Sequence, residues 1–366
     1  MKICILAGEK SGDNYGALLS KNLKKLVRNI FIFGTGGECM RKEGVKLIEG
    51  LPFGEMGFSG VVKKIFTYIS FLKKVVTEIE KEKPDIVVFI DNPGFNLEVA
   101  KRLKKRFKTC YYIPPKIWAH NYKRIKIIKK YIDFVIPIFP FEIDIYKKEN
   151  VSCVYFGHPF VDLINKEDGE IEKKGDENII GILPGSRKEE LIYNLPVMKK
   201  IIEGLRKKVN FKVLISAINE EFKKIIENIF KNTTIQYEIR DDLHTILKIS
   251  DVIIAVSGTV NLEVAYFEKP MIVIYRTSFL NYLLCRLIVR IKMISPVNIV
   301  IGEKIVPEYI QKFKIESIIN DIFTLIKKEE NYIIQIEGIK KVKEILCEKN
   351  VSEKIASFII EGVKSL

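Results

Sequence analysis

The sequence has little of what would tie it to metal, redox or secreted chemistry. Its 366 residues include three histidines, one tryptophan and six cysteines. The cysteines (Cys4, Cys39, Cys110, Cys153, Cys285, Cys347) are scattered without a C-x-x-C pair, which reads as small thiols in a reducing compartment rather than a disulfide framework or a zinc site. Neither GxxxxGK[ST] nor GxGxxG occurs, so a P-loop ATPase and a dinucleotide enzyme are both disfavoured. No uncharged apolar run reaches the roughly 18 residues that span a bilayer, and even 279–285 is stopped by Arg286. Any membrane contact is therefore expected at the surface. The first eight residues pass from one lysine into a short strand and a glycine, without a cleavage-site pattern, so no signal peptide is expected.

What is present is charge. Sixty-one basic against 46 acidic residues leave a formal charge of +15, which attracts polyanions: nucleic acid, anionic lipid or phosphorylated ligands. Charge alone does not choose among them. The length favours two domains with separate cores. Short β-branched or aromatic runs at 2–7, 29–33, 85–90, 109–113, 134–138 and 152–156 alternate with helix-period stretches. After a charged, linker-like segment at 165–177 the alternation restarts at 178–183, 212–216, 234–237, 252–256, 271–275 and 298–301. This predicts an α/β protein of two doubly wound, Rossmann-type halves facing across a cleft, with boundaries at 1–164, 165–345 and a helical tail at 346–366. Ser352 is a candidate N-cap for that tail.

In doubly wound sheets ligands gather beyond the carboxyl ends of the strands, so the residues after each run carry the most information. Leu183-Pro184-Gly185-Ser186-Arg187 places flexible backbone, a hydroxyl and a guanidinium at a strand end, an arrangement suited to phosphate. Ser257-Gly258-Thr259 forms a second such elbow, and Glu263, about one helical turn later, could accept both vicinal hydroxyls of a ribose. Together they suggest one nucleotide held from both ends. Asp91, after the apolar run 86–90, is the first choice for a general base; a turn-forming aspartate is the plain alternative. Gly8-Glu9-Lys10-Ser11-Gly12-Asp13 offers two further carboxylates. Trp118 and His158 follow apolar segments and are read either as site residues or as core.

On a helical wheel residues 61–76 place Val61, Val62, Ile65, Tyr68, Ile69, Leu72, Val75 and Val76 on one face with lysines opposite or flanking. A core-facing helix gives the same pattern, but the lysines suit an anionic membrane surface, and 277–295 repeats the theme.

These elements, taken in order, resemble the lipid-A-disaccharide synthase family. The resemblance is carried by Ala7 to Asp13, Met56-Gly57, Ile90-Asp91-Asn92-Pro93, Phe95-Asn96, Ile117-Trp118-Ala119, Phe139-Pro140-Phe141-Glu142, Gly157-His158-Pro159, Leu183 to Arg187, Ser257-Gly258-Thr259 with Leu262-Glu263, and Pro296 with Asn298. It implies a GT-B-like fold and an inverting glycosyl transfer. UDP-2,3-diacylglucosamine would react with 2,3-diacylglucosamine 1-phosphate, giving a β-1,6-linked disaccharide and UDP. It implies Asp91 and Glu9 as catalytic carboxylates, and Gly185, Ser186, Arg187, Ser257, Gly258, Thr259, Glu263 and Asn298 around the nucleotide. Ser11, Asp13, Met56, Asn96, Trp118 and His158 are implied at the acceptor or hinge. Gly94, Lys116 and His120 depart from the family pattern near the acceptor. No DxD pair ends a strand, so neither metal nor other cofactor is expected.

The partners expected are the two acylated sugars and an anionic membrane, with the protein cytoplasmic and bound to the inner face of its membrane. Oligomeric state, a homodimer included, is not readable. The competing readings are another GT-B UDP-sugar enzyme, such as the peptidoglycan glycosyltransferase or a UDP-GlcNAc epimerase, and a nonenzymatic polyanion-binding protein. Nucleic acid is disfavoured because no RNA-binding module is recognisable.

Overall fold

The computed structural model describes residues 1–50, 63–164, 173, 175–288 and 292–364. Met56, Val61 and Val62 lie outside them, as does the side chain of Ile65. The chain divides into two compact units, Met1–Leu163 with Leu346–Leu366, and Ile164–Ile345.

The first unit holds strands β1 (Lys2–Ala7), β2 (Phe31–Thr35), β3 (Lys46–Leu47), β4 (Ile86–Ile90), β5 (Lys108–Tyr112) and β6 (Phe134–Ile136). They form one parallel sheet in the order β3-β2-β1-β4-β5-β6. Every residue of β4 is buried, as are five of the six in β1. Apolar runs without alternation belong to strands covered on both faces. The sequence-expected strand at 152–156 reduces to a single bridge, Val135 to Cys153, among the described residues.

The second unit repeats the plan with β7 (Asn178–Leu183), β8 (Phe211–Ser216), β9 (Tyr237–Arg240), β10 (Val252–Ala255), β11 (Met271–Tyr275) and β12 (Glu308–Ile310). The parallel order is β12-β11-β10-β7-β8-β9. The expected strand at 298–301 is instead the end of the helix Pro296–Ile301. Pro296 suits a first helical turn and Gly302, at φ 78°, ends the helix in the left-handed region, signals that override the β-branched Ile299-Val300-Ile301.

The terminal helix Val351–Lys364 returns to the first unit and packs on the helix Lys10–Leu26. Phe358 meets Phe134 and Phe156 at ring-centroid distances of 5.2 and 5.4 Å. Ser352 is not its N-cap. It lies inside the helix with its hydroxyl unpartnered, and the Asp162 carboxylate accepts its amide at 2.6 Å.

The helix Lys63–Glu82 corrects the membrane-face reading of 61–76. Leu72 and Val75 are buried in the first unit's core, Val76 packs against it, and the Tyr68 hydroxyl donates to the Gly94 carbonyl at 3.0 Å. The core-facing alternative holds there. Among the described residues of this segment, Phe66 and Ile69, 80% and 38% exposed, keep apolar surface outward.

Candidate active site

Each sheet reverses its strand order at one place, between β1 and β4 in the first unit and between β7 and β10 in the second. Loops diverge there to opposite faces and leave a crevice at the strands' carboxyl ends, the usual ligand position in such sheets. The sequence-selected turns fall at these two reversals. Gly8-Glu9 follows β1, Asp91-Asn92 follows β4, Gly185-Ser186-Arg187 follows β7, and Ser257-Gly258-Thr259 follows β10.

In the first unit the turns touch. A Cβ on Gly8 would stand 2.0 Å from Asn92 Nδ2, so only glycine lets the loops close up. Asp91 and Asn92 both adopt left-handed backbone, at φ 48° and 42°. Such residues cost about 1–3 kcal/mol each and persist where the surroundings over-determine them. Here the surroundings are specific. The Asp91 carbonyl accepts from the Tyr111 hydroxyl at 2.7 Å and from Asn96 Nδ2 at 2.8 Å. The Asn96 amide also reaches the carbonyls of Leu6 and Ile90, at 3.3 and 3.2 Å. The turn thus holds a half-buried Asp91 at the strand end. Glu9, also half-buried, precedes the helix Lys10–Leu26, and Ser11 lies in its first turn.

Several expected contact residues prove to be scaffold. The buried Asp13 carboxylate accepts the amides of Gly37, Cys39 and Met40 at 2.7, 2.9 and 3.0 Å, pinning the turn after β2. Asn96, 1% exposed, spends its amide on the three carbonyls just named. Trp118 Nε1 donates at 2.9 Å to the buried Glu142, whose other oxygen accepts the Ile138 and Phe139 amides. Burial pushes the Glu142 carboxyl up to about 7. His158 is enclosed by Tyr15, Phe139 and Phe160, and its Nδ1 accepts the Phe160 amide at 3.2 Å. Burial, with Lys116 adding repulsion, pushes it down to about 3, so the imidazole stays neutral. These hydrogen bonds brace the backbone of the first unit, and the Trp118 ring stays half-buried.

In the second unit the Val256 amide donates to the Leu183 carbonyl at 3.0 Å, locking the two elbows side by side. Gly185 takes φ +113°, and a Cβ there would meet Glu190 Oε2 at 2.4 Å and Val256 Cγ2 at 3.1 Å. The Ser186 and Arg187 amides donate to Glu190 Oε2 at 3.0 and 3.3 Å, and the Arg187 guanidinium lies 3.4 Å from Glu190 Oε1. Arg187 leaves 70% of its side chain in solvent. Asn261, fully buried, braces the second elbow through the Gly258 amide and the Val256 carbonyl, both at 3.1 Å. Ser257 Oγ donates to the Ile294 carbonyl at 2.6 Å, whereas Thr259 is exposed and Gly258 has open space where a Cβ would stand. Glu263 lies in the helix Val260–Tyr266; burial pushes its carboxyl up to about 7, with His244 acting against the shift.

Asn298 corrects the nucleotide-contact expectation. It is fully buried, with its Oδ1 accepting the Val306 amide at 2.8 Å and its Nδ2 donating to the Val306 carbonyl and to Glu308 at 2.8 and 2.9 Å. No polar atom of it is left for a ligand. Sequence reasoning missed Tyr111, Glu190 and His244. Glu190, three residues after Arg187, had the spacing of a capping box; Tyr111 and His244 carried no local signal.

Two parallel six-stranded sheets, each with its candidate site at the strand-order reversal, define the GT-B class of fold. UDP-GlcNAc 2-epimerase from Neisseria meningitidis bound to UDP-GlcNAc superposes with a TM-score of 0.66 over 99% of this chain and 100% of that one, at 14% identity. At that identity the likeness concerns the fold alone. Sequence comparison goes further. Lipid-A-disaccharide synthase 2 of Legionella pneumophila (strain Philadelphia 1) is 33% identical over 375 residues, covering 98% of this chain and 96% of that protein. The lipid-A-disaccharide synthase of Coxiella burnetii (strain CbuG_Q212) is 33% identical over 370 residues, 98% and 97% of the two chains. The lipid-A-disaccharide synthetase family model matches residues 3–360. The chain belongs to that family and is a glycosyltransferase.

Proposed function

We propose that this protein condenses UDP-2,3-diacylglucosamine with 2,3-diacylglucosamine 1-phosphate, with Asp91 as the general base. The family match carries the condensation, and the strained turn at Asp91 carries the assignment of the base. In the reaction the acceptor 6-hydroxyl oxygen attacks the donor anomeric carbon, the bond from that carbon to the UDP oxygen breaks, and the hydroxyl proton passes to the Asp91 carboxylate. Inversion follows from a single displacement. Glu9, on the neighbouring turn, is the second candidate carboxylate.

The departing UDP gains negative charge, so the groups that hold it must bind the transition state more tightly than the ground state. Arg187, the Ser186 hydroxyl and the Gly258 turn are suited to the diphosphate, and Glu263 to the ribose hydroxyls. None of these steps calls on a metal. The test is a structure determined with UDP: the diphosphate is expected against the turns after β7 and β10. Nucleotide bound at any other place in the second unit would remove this assignment.

The acylated substrates also suggest contact with an anionic membrane surface. No helix of the described residues is long and apolar enough to cross one. Support comes from Phe279, Leu280 and Leu283 on the helix Phe279–Ile288, which are 71%, 66% and 46% exposed beside Arg286. Exposed large apolar side chains with a cationic neighbour suit the headgroup boundary. The Phe279→Asp, Leu280→Asp double variant is expected to lose most sedimentation with anionic vesicles while keeping its melting temperature. Undiminished co-sedimentation would exclude this helix as the contact.

A further inference from the structure

His244 lies outside the residues assigned above, yet it faces one of them. It opens the helix Leu243–Ile249 after β9, and its Nε2 stands 3.9 Å from Glu263 Oε2. Both side chains are largely enclosed, 19% and 24% exposed. The imidazole is set against the Phe267 ring at 5.7 Å, which limits how far it can swing from the carboxylate.

Strand β10 and the helix Pro296–Ile301, which pack against Val260–Tyr266, carry no ionisable side chain. The helix Leu243–Ile249 carries Lys248 besides His244. Asp242, its N-cap, is held below the usual carboxylate range by hydrogen bonds from Thr245 against the pull of burial, with the His244 charge and amide adding to the lowering. Of these, His244 is the group whose charge bears on Glu263.

We propose that His244 is a positioning residue of the nucleotide site, holding Glu263 as an oriented carboxylate so that it can accept both hydroxyls of a ribose. This rests on the reading of Glu263 as the ribose acceptor. A carboxylate offers two acceptor oxygens to a vicinal diol, whereas a protonated carboxyl turns one of them into a donor. Burial favours the protonated form of Glu263, and an imidazolium at 3.9 Å favours the ionised one.

The sign follows directly. As pH falls through about 7, Glu263 takes up a proton and affinity for UDP drops. Removing the imidazole leaves burial unopposed and moves that drop to higher pH by about one unit, the lower end for an opposite charge at this range. At pH 7 this is about a fivefold loss of affinity, whereas at pH 9 the loss largely vanishes. A merely structural role for His244 would weaken binding equally at every pH.

The experiment is calorimetric titration of UDP across pH 5.5 to 9 with the wild type, His244→Leu, His244→Lys and Glu263→Gln, alongside thermal melts. His244→Leu is expected to shift the midpoint upward, and His244→Lys, which keeps a cation, to hold it at or below the wild-type position. Glu263→Gln should lose affinity at high pH and flatten the profile, which separates the protein's titration from that of UDP itself. Wild-type midpoints in both His244 variants would overturn the proposal while leaving Glu263 in place. Unchanged UDP affinity in Glu263→Gln, or no binding by the wild type, would instead remove the reading on which it rests.

Discussion

Asp91→Asn is expected to lower the rate of disaccharide formation by about 10²- to 10⁴-fold, the range general-base catalysis supplies, with UDP affinity left close to that of the wild type. The variant suits the backbone unusually well. Asp91 sits at φ 48°, and asparagine is among the few side chains that tolerate the left-handed region. The Tyr111 and Asn96 hydrogen bonds that hold the turn go to the Asp91 carbonyl, which the substitution leaves alone. Lost activity would therefore report lost proton acceptance rather than a collapsed turn. Asp91→Ala would confound the two by adding backbone strain. Single-turnover rates, UDP titration and a melting curve on the same preparation make the check.

Arg187→Ala is expected to lower kcat by about 10²- to 10³-fold, the magnitude seen when one donor to a developing oxyanion is removed. Its side chain is 70% exposed and its ion pair with Glu190 is 3.4 Å long. An exposed pair of that kind adds little to folding, so the melting temperature should barely move. Arg187→Lys should recover only part of the rate, because an ammonium cannot reproduce the bidentate fork. Steady-state kinetics on the donor, read beside the melt, separate the two effects. A change confined to KM would mean that Arg187 binds ground and transition state alike.

The alternation of buried apolar runs with helix-period segments marks both parallel sheets, and the glycine-bearing turns mark the strand ends where ligands gather. What was hidden has physical causes. Strand β3 is two residues long, Lys46 and Leu47, too short to carry a pattern. Residues 298–301 are β-branched enough to read as strand, yet Pro296 and Gly302 cap them as helix. The helix Lys63–Glu82 has an apolar face that either a core or a membrane could take, and periodicity cannot tell which. In the candidate site, Asp91, Arg187 and Glu263 stand out in the sequence because each follows a strand end or an elbow, and the structure keeps them at those positions. Asp13, singled out by its place after β1, and Asn298, implied by the family resemblance alone, are both taken up by the scaffold. Each side chain is consumed by backbone groups, Gly37 to Met40 for Asp13 and Val306, eight residues on, for Asn298. Tyr111 and His244 meet their partners only through sheet topology, from different strands and helices.

The most direct measurement is incubation of both acylated sugars with the wild type and with Asp91→Asn, followed by mass detection of products. The wild type should release disaccharide 1-phosphate and UDP in equal amounts, and the variant should release almost none of either while still binding UDP. Wild-type turnover by the variant would contradict the assignment of Asp91 as the base.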